Sequence, residues 1–179
     1  MELVFDNYDA LAKNGSFFKI PYLLGNTDYE AGWYKLSAYA ANINLTEAQW
    51  DLYNQHAFTC PTGEEVKCRV QYGVPTWRYR YFGDWKNLRL YDGSSSLGRG
   101  CDAYHGTDIS MVFGTAQDLT GEPNTKAEEE TSKYMMGAWA AFGKDPKSGL
   151  TQYGWPTYNE KGKRSYLLYF QIKFSLECE

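Results

Sequence analysis

The sequence predicts an α/β fold, on three observations. Segments that open with helix-capping residues recur along the chain, at Thr46, Thr62 and Thr125. Ahead of them stands a short continuous apolar run, "KIPYLLGN" at 19–26, closed by Gly25-Asn26. A second strand-like stretch, "TWRYRY" at 76–81, alternates aromatic with basic residues. Helical segments that alternate with strands imply a parallel sheet covered by helices.

In chain order, residues 7–13 read as a short helix ended by Asn14-Gly15. The run "IPYLL" is unbroken by polar residues, the pattern of a strand buried on both faces. Next, "TDYEAGWY" at 27–34 is a strand-to-helix loop carrying Asp28 and Glu30. Thr46 with Gln49 makes a capping box ahead of "EAQWDLYNQHAF", and Thr62 with Glu65 makes a second ahead of "GEEVKCRVQY", which Gly73 stops. In the strand that follows, Trp77, Tyr79 and Tyr81 share one face, and Arg78 and Arg80 the other. The stretch "DGSSSLGRG" at 92–100 is a loop by composition, and "TDISMVF" suggests a short helix. Thr125 with Glu128 opens the longest helix, "KAEEETSKYMMGAWAAF", with acidic residues in its first turns, where the helix dipole favours them, and a stop at Gly143. Its Tyr134, Met135, Ala138, Trp139 and Phe142 recur at helical spacing and predict one buried face. The tail "WPTYNEKGKRSYLLYFQIKF" reads as a hairpin turning around Glu160–Lys163, giving the sheet an antiparallel end.

At 179 residues the chain suits one domain, residues 1–179, with a sizeable core. A net charge of −4 supplies no basic stripe for phosphates, which argues against a nucleic-acid partner. No apolar run approaches the roughly 20 residues that cross a bilayer, so no membrane partner is expected. The start, "MELVFDNYDALAKNG", lacks the basic and apolar regions of a signal peptide. Two glycosylation sequons, at Asn14 and Asn44, and an even number of cysteines lean instead toward an extracellular history. The 17% aromatic content suits a core with polar rims as well as sugar- or ester-binding surfaces.

Cys60, Cys68, Cys101 and Cys178 allow three complete disulfide pairings. A helix started by Thr62 between Cys60 and Cys68 would hold those two too far apart to bond to each other. A zinc set of His56, Cys60, Cys68 and Cys101 lacks any Cys-x-x-Cys pair and fits no common spacing. No metal or cofactor enters this reading.

One of only two histidines, His105, stands in the irregular segment "GCDAYHGTDI". It can hold a turn, or it can act as a general base, since imidazole exchanges protons near neutral pH. Upstream, Asp28 and Glu30 follow a strand end, the place where open α/β sheets meet ligands. A carboxylate followed by a histidine is the later part of the chain order Ser…Asp/Glu…His. Asp28 can also cap the next helix, leaving Glu30 free, and Asp102 and Asp108 are nearer to His105 in sequence.

The segments "LLGNTDYEAGWY", "FTCP", "GVPTWRYRYFGDW", "GCDAYHGTDISMVFG", "KYMMGAWAAFGKDP" and "YGWPTY" resemble, in order, the C-terminal region of type B carboxylesterases, a secreted family that includes cholinesterases and fungal lipases. The resemblance runs from about residue 1 to about residue 158, and the tail beyond about 164 departs from it. It implies an α/β-hydrolase fold and a small-molecule carboxylic ester as substrate. It further implies that Glu30 orients the imidazole of His105, with Asp28 as the fallback acid because "NTDYEAG" is one residue longer than the commonest form. Gly106 would let the backbone pass close to the ring, and "SSSLGRGCDAY" would wall the pocket. In that family the cysteine of "FTCP" bonds to one near the C-terminus, which implies Cys60 with Cys178.

No serine here sits in Gly-x-Ser-x-Gly; the nearest attempt, Gly93 to Leu97, ends in leucine. No glycine-rich oxyanion loop occurs either. The expectation is therefore a C-terminal portion of an esterase, inactive alone, which supplies Glu30 and His105 and needs a complementary N-terminal chain for the nucleophile. The alternative is a non-catalytic binding module derived from a degenerate hydrolase. A lectin-like all-β domain conflicts with the capped helices.

Overall fold

A computed structural model of the chain describes residues 4–90, 103–159 and the backbone of 166–168. Its elements are α1 (Tyr8–Lys13), β1 (Tyr22–Thr27), α2 (Ala31–Ala40), α3 (Glu47–Asn54), a π-helical turn (Gln55–Thr59), α4 (Cys60–Gln71) and β2 (Thr76–Tyr81). After a 3₁₀ turn at Lys86–Leu88 come α5 (Thr107–Phe113), α6 (Ala116–Thr120), α7 (Lys126–Lys144), α8 (Gly149–Gln152) and β3 (Tyr166–Leu168). The strands form one sheet in the order β1-β2-β3. β1 pairs with β2 in parallel, from Tyr22 opposite Thr76 to Thr27 opposite Tyr81.

β3 also runs parallel to β2, with Tyr79 opposite Tyr166 and Tyr81 opposite Leu168, which corrects the antiparallel hairpin expected for the tail. The helices α5 to α8 intervene between β2 and β3, and a crossover of that kind returns the chain in the same direction. The segment before Glu160 forms no strand among the described residues, though its Tyr158 N–H donates to Thr76 C=O at 2.9 Å. The expected turn at Glu160–Lys163 and the loop at 92–100 lie outside the described residues.

The alternation in "TWRYRY" separates two faces of β2. Trp77, Tyr79 and Tyr81 are buried against Met111, Met135, Ala138, Leu150 and Trp155. Arg78 and Arg80 are only part-buried, yet both are used: Arg78 Nη2 donates to Thr59 C=O at 3.1 Å, and Arg80 Nη2 reaches Asp28. Gly25 lies opposite Tyr79, and a Cβ at that position would meet the Tyr79 ring at 2.4 Å. Only glycine lets this ring lie across β1. β1 is part-buried over Tyr22–Gly25 and fully buried only at Asn26 and Thr27. That is less cover than its apolar run suggests, because among the described strands it has a neighbour on one side alone.

The capping boxes at Thr46–Gln49 and Thr125–Glu128 form as reciprocal side-chain and backbone hydrogen bonds. α7 passes Gly143 and stops at Lys144, with Met135 and Ala138 buried and Tyr134, Trp139 and Phe142 packed beside them. The box at Thr62 does not form, because α4 begins at Cys60 and Thr62 is inside it. The chain from Glu47 to Gln71 is instead continuous helix through the π turn, where Cys60 N–H bonds to Gln55 C=O, five residues back. A proline in a regular α-helix clashes with the carbonyl four residues before it. The wider turn just before Pro61 relieves that clash, so no break or new cap is needed. Buried positions along this helix are Trp50, Asn54, Thr59, Gly63, Val66 and Cys68. The single step of five, from Asn54 to Thr59, falls in the π turn and keeps one face inward.

Cys60 and Cys68 therefore stand on one helix, about 12 Å apart at 1.5 Å per residue. They are not bonded to each other, since Cys68 is a free, buried thiol. Burial, aided by the charges of Glu64 and Glu65, pushes that thiol's pKa up. Cys101 and Cys178 lie outside the described residues.

Candidate active site

Glu30 and His105, 75 residues apart in sequence, meet just beyond the C-terminal ends of β1 and β2. Glu30 Oε2 lies 2.6 Å from His105 Nδ1. The Glu30 side chain is 6% exposed and that of His105 48% exposed, so the carboxylate is sealed in and the imidazole faces outward. An ionised carboxylate only accepts hydrogen bonds; a neutral imidazole paired with one through Nδ1 carries its proton on that atom and its lone pair on Nε2.

The local chain explains why Glu30 points there. Thr27 ends β1, and its N–H donates to Glu30 Oε1 at 2.6 Å, folding the carboxylate back over the strand end. Tyr29 N–H donates to Ala103 C=O at 2.9 Å and Asp28 N–H to Tyr81 C=O at 2.7 Å. These bonds tie the acid loop to β2 and to the histidine segment. Trp33 and Tyr104 stack at 6.1 Å between ring centroids, a second link between the same two segments.

Asp28 is not the partner of His105; its Oδ1 accepts from Arg80 Nη2 at 3.0 Å. It also makes no described cap on α2, whose first N–H, that of Ala31, donates to Asn54 instead. Asp108, in the first turn of α5, accepts from the Tyr79 hydroxyl at 2.8 Å. Burial first, then the charge and hydrogen bond of Asp108 and the charge of Glu30, hold the Tyr79 phenol far above its usual pKa, so it stays a donor. Asp102 and the loop expected to wall the pocket lie outside the described residues up to residue 102. Gly106 has a backbone conformation that favours glycine. Its φ of +88° lies in the left-handed region, while a Cβ there would meet nothing closer than Ile109 Cδ1 at 3.7 Å.

Three residues the sequence did not single out belong to this site. Asn54, buried on α3, donates from Nδ2 to Asp28 C=O at 3.2 Å, and its Oδ1 accepts from Ala31 N–H at 3.3 Å. It brackets Glu30 on both sides. Phe58, in the π turn, lies 5.4 Å from the His105 ring, and Tyr34 of α2 lies 5.5 Å from it. The spacing of Asn54 and Phe58 from each other offered no clue, because their target is a loop far away in sequence.

A protein-family model described as the carboxylesterase family matches residues 33–177, which is most of the chain. The chain belongs to the carboxylesterase family. His105 is inside the matched region, and Glu30 stands three residues before it. Among curated relatives, secreted lipase 5 of Gibberella zeae is 30% identical over 173 residues, covering 92% of this chain and 31% of that protein. Chlorogenic acid esterase of Aspergillus niger is 33% identical over 90 residues, covering 50% of this chain and 16% of that protein. Two solved structures, a PNB esterase and a thermophilic PNB esterase, superpose with TM-scores of 0.66 and 0.67 at 19% identity. Each covers 89% of this chain, and the chain covers 36% and 37% of theirs. The likeness establishes the α/β-hydrolase fold for this carboxylesterase-family chain. It spans about a third of the length of lipase 5 and of the two esterase structures.

Proposed function

We propose that this chain supplies the acid and the base of a Ser–Glu–His triad for hydrolysis of carboxylic esters. The observation that carries the reading is the 2.6 Å contact between Glu30 Oε2 and His105 Nδ1, with the imidazole half-exposed. Glu30 fixes the tautomer and stabilises the imidazolium. His105 Nε2 takes the proton of a serine hydroxyl as that oxygen attacks the ester carbonyl, then gives it to the departing alcohol. A water repeats the sequence to release the acid. The serine and the oxyanion donors belong to a complementary segment not contained in these 179 residues, since no Gly-x-Ser-x-Gly occurs among them. The substrate is a small-molecule ester, and the setting is extracellular. That setting is supported by the word "secreted" in the name of one relative and by the exposure of both sequon asparagines, Asn14 and Asn44. Among the described residues no helix is long and apolar enough to cross a membrane.

Purified alone, the chain is expected to show no enzymatic hydrolysis of a short-chain aryl ester. Co-expressed with the N-terminal part of a related esterase, it is expected to hydrolyse that ester. Hydrolysis by the pure chain at an enzymatic rate sinks this reading.

A further inference from the structure

The helix that runs from Glu47 to Gln71 carries its one irregularity, the π turn Gln55–Thr59, against the candidate site. Such turns insert one extra residue and redirect the side chains beside it. Here the extra residue falls between two buried positions, Asn54 and Thr59, and Phe58 projects from it toward His105. The rings of His105, Phe58 and Tyr34 form a triangle, with centroids 5.4 Å, 5.5 Å and 5.8 Å apart. Phe58 is itself steadied by Tyr53, 6.1 Å away, which packs edge-on against Trp50. Glu30 holds the imidazole by one atom, Nδ1, about which a half-exposed ring can still swing. An apolar wall removes that freedom without offering a competing hydrogen bond.

From this geometry we infer that Phe58 is a positioning residue, which the π turn sets against the imidazole so that His105 keeps Nδ1 on Glu30 and Nε2 outward. The inference rests on the reading of Glu30 and His105 as acid and base. It extends that reading to a residue that touches no reacting atom. A straight α-helix would turn Phe58 away, so the π turn and the site are one device.

The chain has only two histidines, so ring ¹⁵N and attached-proton NMR of histidine-labelled protein gives two sets of signals, with His56 as an internal reference. In the parent, one ring should be protonated at Nδ1, with a deshielded proton that Glu30→Gln removes. Phe58→Ala is expected to lose that proton signal and to mix the two tautomers, with the His56 signals and backbone dispersion unchanged. Phe58→Leu, which fills the helix packing without a flat face, is expected to broaden it. An unchanged Nδ1 proton in folded Phe58→Ala overturns the inference. Where Phe58→Ala does not fold, an unchanged signal in Phe58→Leu does so. Absence of the signal from the parent overturns instead the pairing of Glu30 with His105, so the two failures are distinct.

Discussion

Replacing His105 with alanine in the assembled esterase should lower kcat by roughly 10⁴- to 10⁶-fold, the range seen when a triad member that acts with the others is removed. On the proposed reading the imidazole carries the serine proton, and two other carboxylates of the site already have partners. Asp28 is paired with Arg80, and Asp108 accepts from Tyr79. Glu30→Gln should cost about 10⁴-fold in kcat with little change in KM, because the amide no longer fixes the tautomer or steadies the imidazolium. Asp28→Asn should cost no more than about tenfold, as an indirect disturbance of the loop. These rates are read from steady-state hydrolysis of an aryl ester. Equal losses for Asp28→Asn and Glu30→Gln would return the acid's role to Asp28.

Trp77→Ala should destabilise the fold by about 3–5 kcal/mol, the usual result of emptying a large core site. Trp77 is fully buried on β2, with Phe142 of α7 edge-on at 6.0 Å and Leu23 of β1 as its cross-strand partner. It joins the sheet to the longest helix, so the cavity cannot close without moving one or the other. A loss of that size consumes much of the roughly 5–15 kcal/mol that stabilises an ordinary domain. The urea midpoint should fall sharply, whereas Leu119→Ala, at an exposed position, should change stability by about 0.5 kcal/mol or less. Similar midpoints for the two variants would mean that the aromatic face of β2 is not the core.

What the sequence made legible was whatever depends on neighbours in the chain. The capping boxes at Thr46 and Thr125, the alternation of Trp77, Tyr79 and Tyr81, and the apolar face of α7 are local patterns, and each forms. The box at Thr62 has the same local pattern and fails, because Pro61 is accommodated by a π turn and the helix never stops. A reading that assumes a constant 3.6-residue period cannot register one step of five. The direction of β3 was missed for a related reason. Turn-forming residues before Tyr166 suggest a hairpin, but pairing is decided by the crossover through α5 to α8, which no short window contains.

The candidate site was legible in part. Glu30 and His105 were nominated by position after a strand and by family resemblance, and they lie in hydrogen-bond contact. Asn54 and Phe58 were not nominated, since an asparagine and a phenylalanine in a helix ordinarily read as surface and core. Their contacts are visible only once the acid loop and the histidine segment are laid against that helix.

The most direct test of the proposed division of labour is labelling by a fluorophosphonate, which phosphonylates an activated serine oxygen with loss of fluoride. The pure chain should remain unlabelled. Together with the complementary N-terminal segment it should give a single labelled serine, on that other segment, and the labelling should disappear with His105→Ala. A label on a serine of this chain alone, or labelling of the assembly that survives His105→Ala, would contradict the account.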